Sequence, residues 1–145
     1  MCLGDIAVRK DAYALEELAK VKQALNLTMI LTPGNHDRIH PVFGVTEQLE
    51  WVDRYREVFD LISMDLQINR NGRSYVLTHH PAVLTQYDPE SAYRWVPDTN
   101  RWDCIIHGHT HSSEALTPGH VNVALEAHNM RILHSAELWE LTESA

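Results

Sequence analysis

Four short apolar runs in this chain each break off at residues whose side chains bind metal ions or phosphate. Asp5 comes after Met1-Cys2-Leu3-Gly4, and Asn35-His36-Asp37 comes after the β-prone run at 28–31 and Pro33-Gly34. His79-His80 follows Val76-Leu77-Thr78, and the cluster from His107 to His111 follows Cys104-Ile105-Ile106. In an open α/β sheet, residues just past the carboxyl ends of strands gather along one edge, where ligands bind. The pattern therefore predicts an α/β chain in which separate segments carry Asp, Asn and His side chains to one region. Oxygen and imidazole donors without thiolate suit Mn, Fe or Zn better than a structural zinc held by cysteines.

The segments between these runs support that class. From 11 to 26, Leu15, Leu18, Val21 and Leu25 recur at helical spacing among Glu and Lys. A strand end, this helix and the run at 28–31 make a βαβ unit of a parallel sheet. A second helix is expected over 46–59, with Leu49, Val52, Tyr55 and Phe59 on one face and Thr46 as N-cap. Residues 66–68 and 74–78 read as a hairpin about Asn71-Gly72. Residues 87–101, with prolines and aromatics, read as a long loop, a lid or rim. Further strands are expected at 104–106, 121–125 and 131–133, and 135–141 suits a helix or a strand.

The chain has 145 residues, which suits one domain over 1–145 with a real core. A formal charge of -8 disfavours long nucleic acid and a polybasic membrane anchor, although bound cations can reverse the local field for a phosphate substrate. No membrane-spanning run and no secretory segment stands in the sequence. Cys2 and Cys104 form no CxxC pair, and with them a cytoplasmic location is expected. Histidine numbers 10, so the placement of the imidazoles is the feature to follow.

Gly4-Asp5, Gly34-Asn35-His36-Asp37, His79 before Pro81, and Gly108-His109-Thr110-His111 occur in the order seen in calcineurin-like metallophosphoesterases. The chain resembles that family from about Leu3 to Leu133, in particular its small phage and bacterial branch. The resemblance implies an α/β fold, the α-β-β-α sandwich, and a metal-dependent hydrolase of phosphoric monoesters or diesters. It implies two divalent ions (Mn, Fe, Zn or Ni), with Asp5 bridging them. Asn35, His79 and His109 would complete the second ion, and His111 would hold the first. His36 would serve as the catalytic histidine beside the substrate. Arg38 reads either as a phosphate contact or as a solvated surface arginine, and His80 as a rim or substrate residue.

One departure qualifies this. The family's opening D-x-H is absent, so the fold is expected to be N-terminally incomplete, the first metal site weak, and exposed sheet edges open to self-association. A non-catalytic or degenerate member, binding metal or acting as a scaffold, is the alternative function. A small phosphorylated molecule is the expected substrate. Strand alternation points His79 and His80 opposite ways, and the position relative to Pro81 favours His79 as ligand, with His80 facing the rim or the substrate. His107 reads as a strand-end core residue; His40, His120, His128 and His134 read as surface or packing residues.

Overall fold

Cys2 N–H reaches Ile30 O at 2.8 Å and Thr32 N–H returns to Cys2 O at 3.0 Å, so the chain's first residues pair in parallel beside Leu31. The computed structural model describes residues 1–83 and 94–145. They divide into two units, Met1–Met64 and Asp65–Ala145. The loop expected over 87–101 lies partly outside the described residues; within its remainder, Thr99–Arg101 forms a 3-10 turn capped by the Asp98 side chain.

In the first unit, helix α1 (Asp11–Leu25) leads to strand β1 (Ile30–Leu31). Asn26 ends α1 in the left-handed conformation at φ 49°, a role that its short polar side chain tolerates. Helix α2 (Gly44–Val58) follows, then strand β2 (Leu61–Ile62), which pairs in parallel with β1. The βαβ reading holds, and β2 is too short to leave a periodic signal. Leu15, Leu31, Ile39, Tyr55, Val58 and Phe59 form the buried core, with Leu18 and Trp51 packed against it. The burial of α1 fades along its length: Val21 and Leu25 continue the spacing but stay exposed.

The second helix begins earlier than expected. Thr46 sits inside the first turn of α2 and is not its cap. Entry is set by Pro41–Phe43, a 3-10 turn whose N-cap His40 accepts a hydrogen bond from Val42 N–H at its own Nδ1. His40 is thus a fully buried capping residue, not a surface one. The expected inward face of α2 holds except at its start: Tyr55 and Phe59 are buried and Val52 is half-buried, with Val58 joining them, whereas Leu49 is exposed.

The second unit is a five-stranded mixed sheet in the order β3-β4-β5-β7-β6. Strands β3 (Asp65–Arg70) and β4 (Arg73–Thr78) form the expected hairpin, with Asn71 at φ 53° and Gly72 at φ 78°. Two successive positive φ values match the twist of the flanking strands, and Asn-Gly adopts them at low cost. β4 pairs in parallel with β5 (Cys104–His107), and β5 pairs in parallel with β7 (His120–Asn122). β6 (Leu116–Thr117) joins β7 through Pro118-Gly119, with Gly119 at φ 74°. Val76 to Thr78 and all of β5 are buried, as strands covered on both faces require.

Beyond β7 the expectations need correction. The strand expected over 121–125 stops at Asn122, and Leu125–His128 is a 3-10 turn. No strand forms at 131–133. Asn129 and Met130 both take positive φ, which breaks the extended run, and Ile132 is 87% exposed. Helix α3 (Ser135–Ser144) closes the unit, opened by a capping box between His134 and Glu137. No helix among the described residues is long and apolar enough to cross a membrane.

Candidate metal centre

In the first unit the loop after β1 is organised by Asp37. Its carboxylate accepts N–H groups from Gly34 at 2.7 Å, Asp5 at 2.9 Å and Ile6 at 3.0 Å. Two separated turns are thereby fastened to one fully buried side chain. Burial pushes the Asp37 carboxyl up to about 6, against the pull of the donated N–H bonds, with Gly34 the strongest. The Asp5 carboxylate in turn accepts the His36 N–H at 2.9 Å, and the Asp5 backbone sits at φ 53°. Asp5 and Asn35 are half-buried, and His36 is exposed.

A second buried carboxylate supports this loop. Asp11, at the start of α1, accepts Tyr55 O–H at 2.7 Å and Arg38 N–H at 3.1 Å. Burial raises the Tyr55 phenol strongly, so it stays a neutral donor. The Arg38 guanidinium is committed to an ion pair with Glu47 and lies 5.7 Å from the ring centres of both Phe43 and Trp51. Those partners give Arg38 a structural task in tying the loop to α2.

The second unit holds the densest group of donors. His79, His80 and His109 each offer a ring nitrogen, and these atoms all lie within 4.8 Å of one another. His79 Nε2 lies 3.1 Å from His109 Nδ1. His80, expected at the rim, is instead 1% exposed, its ring 4.9 Å from that of His79 and 4.7 Å from that of His109. The physical reason is that β4 ends at Thr78, so the alternation of a strand no longer governs the two residues that follow.

His109 reaches the group through an unusual turn. Thr110 N–H binds Gly108 O at 2.8 Å across His109, whose φ is 68°, the mark of a strained three-residue turn. His107 ends β5 as the expected core histidine, with Nδ1 2.8 Å from Gly108 O; burial lowers its imidazole to about 4. His111 stands outside the three-histidine group, at φ 48° and largely exposed. Its Nδ1 lies 2.6 Å from Glu126 Oε1, and that bond holds the Glu126 carboxyl below its ordinary range. An imidazole that gives Nδ1–H to a carboxylate keeps Nε2 as its lone-pair nitrogen, the arrangement common to metal-ligating histidines.

Asp37, Glu126 and Asn122 carry roles that no spelling in the sequence assigned. Asn122 anchors the segment after His111: its amide donates to Ser112 O at 3.2 Å and Glu114 O at 3.1 Å and accepts Ala124 N–H at 3.0 Å. His128, buried, reaches Asn122 O at 2.7 Å. A pocket of about 280 Å³ opens beside this segment, bordered by His107, Thr110, Ser112, Glu114 and His120.

The donors fit a divalent transition-metal ion. Clustered imidazoles with carboxylate and amide oxygens elsewhere are the ligand types such ions select, and the 3.1 Å nitrogen pair is spaced as two ligands of one ion would be.

The family model for the calcineurin-like phosphoesterase superfamily domain matches residues 1–134. Among solved structures, protein AQ665 of unknown function from Aquifex aeolicus is similar at 23% identity and a TM-score of 0.63. That match covers 96% of this chain and 73% of the other. An archaeal phosphodiesterase is similar at 12% identity and a TM-score of 0.37, over 85% of this chain and 81% of its own. No curated protein matches the chain.

Proposed function

The chain belongs to the calcineurin-like phosphoesterase superfamily, and from that premise we propose that it is a metal-dependent hydrolase of small phosphoric esters. The observation that carries the reading is the group formed by His79, His80 and His109, three ring-nitrogen donors gathered within 4.8 Å in a chain of phosphoesterase descent. In this reading Asp5, Asn35, His79, His109 and His111 are ligands of divalent ions. Such ions, when bound, neutralise phosphoryl oxygens and acidify water near neutral pH.

The remaining steps belong to the protein. The Asp37 clamp fixes the Gly4-Asp5 turn, so the Asp5 carboxylate is set before any ligand arrives. Glu126 selects the His111 tautomer that offers Nε2. His36 is exposed and its backbone is fastened to Asp5, which supports the reading in which its imidazole hands a proton to the departing ester oxygen. Arg38 is held by Glu47 and is left out of the substrate contacts. A small substrate agrees with the chain's negative charge and with the modest pocket in the second unit.

The test is hydrolysis of bis-p-nitrophenyl phosphate by the purified chain with added Mn²⁺, beside the His36→Ala variant and a chelated sample. Turnover that needs the metal and falls in the variant supports a phosphodiesterase. Turnover equal in all three samples would show a contaminant at work. Absence of turnover with metal retained would favour a non-catalytic metal-binding member.

A further inference from the structure

We infer that His80 is a third imidazole ligand, so that His79, His80 and His109 together form a three-nitrogen cation centre within the second unit. This deepens the phosphoesterase reading, on which it rests for the presence of a cation, and adds a ligand that the family resemblance did not place.

The argument begins with where β4 stops. Residues in an extended strand would send His79 and His80 to opposite faces, and a single ion could not meet both. Thr78 is the last strand residue, so the alternation of the strand ends before both histidines. Both rings consequently turn into one group, nearly perpendicular to each other at 84°. His109 meets them from the strained turn after β5, its ring 5.0 Å from His79 and 4.7 Å from His80.

Spacing supports a shared ion. A cation about 2.0–2.1 Å from each imidazole nitrogen sets neighbouring donors roughly 2.9–3.4 Å apart. His79 Nε2 and His109 Nδ1 already stand at 3.1 Å, and the His80 nitrogen lies within 4.8 Å of the other two. The remaining separation is what a shared ion would close by drawing the His80 ring inward. His79 and His80 are 2% and 1% exposed, so their neighbours hold the rings in place and little ordering remains to oppose binding. Three imidazoles without a carboxylate in the group favour Zn²⁺, Co²⁺ or Ni²⁺ over Mg²⁺ or Ca²⁺.

Zinc X-ray absorption on the full chain, stripped with chelator and reloaded with one equivalent of Zn²⁺, counts the bound imidazoles directly. His111→Ala, at an exposed position, removes the competing histidine; three imidazoles should remain in it and in the wild type. His80→Ala should show two and bind Co²⁺ on the order of 100-fold more weakly, while His120→Ala binds as the wild type does. Two imidazoles in both the wild type and His111→Ala would overturn the role of His80 and leave the phosphoesterase reading intact. Three in the wild type but two in His111→Ala would assign the third nitrogen to His111 and overturn it equally. Failure of the wild type to retain zinc or cobalt would remove both readings together. Should His80→Ala misfold by circular dichroism, the count in His111→Ala decides the matter alone.

Discussion

Asp37 Oδ2 lies 2.9 Å from the backbone nitrogen of Asp5, and through that bond a buried carboxylate positions a half-buried one. The same side chain takes the N–H groups of Ile6 and Gly34, so three backbone donors depend on it. Asp37→Ala leaves them in a buried setting without their acceptor and should cost about 2–4 kcal/mol of folding stability. Asp37→Asn, which keeps one oxygen, should fall between the wild type and the alanine variant. Urea denaturation measures both, and equal midpoints for all three proteins would remove the clamp from the account.

The His111–Glu126 bond makes a separate prediction. Glu126→Ala should leave the fold unchanged, because both side chains are largely exposed. It should nonetheless weaken metal retention roughly 10–100-fold, the usual effect of losing a carboxylate behind a ligating histidine. Metal content after dialysis reads this out. Retention equal to the wild type would mean that His111 does not bind an ion.

Ligand and catalytic roles separate by comparing content with rate. His79→Ala and His109→Ala should lose bound metal more completely than His111→Ala, since His79 and His109 share a buried group with His80 and His111 stands apart. His36→Ala should keep its metal and lose turnover by about 10²–10⁴-fold if the imidazole transfers a proton. A fall in metal content that parallels turnover would make His36 a ligand.

Much of this arrangement was legible because short apolar runs and helical spacing are local signals. The helix at 11–26, the Asn71-Gly72 hairpin and the buried strand at 104–106 needed no distant partner to be recognised. What escaped were features set by tertiary contacts. Thr46 looks like a cap, yet α2 starts at Gly44 because the Pro41–Phe43 turn runs into it. His80 seemed destined for a rim on the assumption that β4 continued through it, when the strand had ended two residues earlier. Asp37 and Glu126 act through partners 32 and 15 residues away, which no local pattern records.

Helix α3 carries a pH-dependent contribution whose sign follows from Glu137. Arg131 beside it, and then the His134 N–H, hold its carboxyl down at about 2. A carboxyl depressed in the folded state stabilises it above the unfolded value of about 4.3, and the gain disappears as pH falls toward the folded value. Glu137→Gln should therefore melt lower than the wild type at pH 7. The gap should narrow between about pH 4 and pH 2 and then vanish. A gap of constant size across that range would trace it to helix capping without charge.

Asp5, His109 and His111 share a backbone trait: φ values of 53°, 68° and 48°, where residues other than glycine are held at a cost. Selection for heat resistance and selection for metal chemistry would therefore pull this chain in opposite directions. A library screened only for thermal survival should enrich glycine at these positions, relieving strain while discarding the proposed ligands. A library screened for bound metal should keep the strained residues and look for its stability elsewhere.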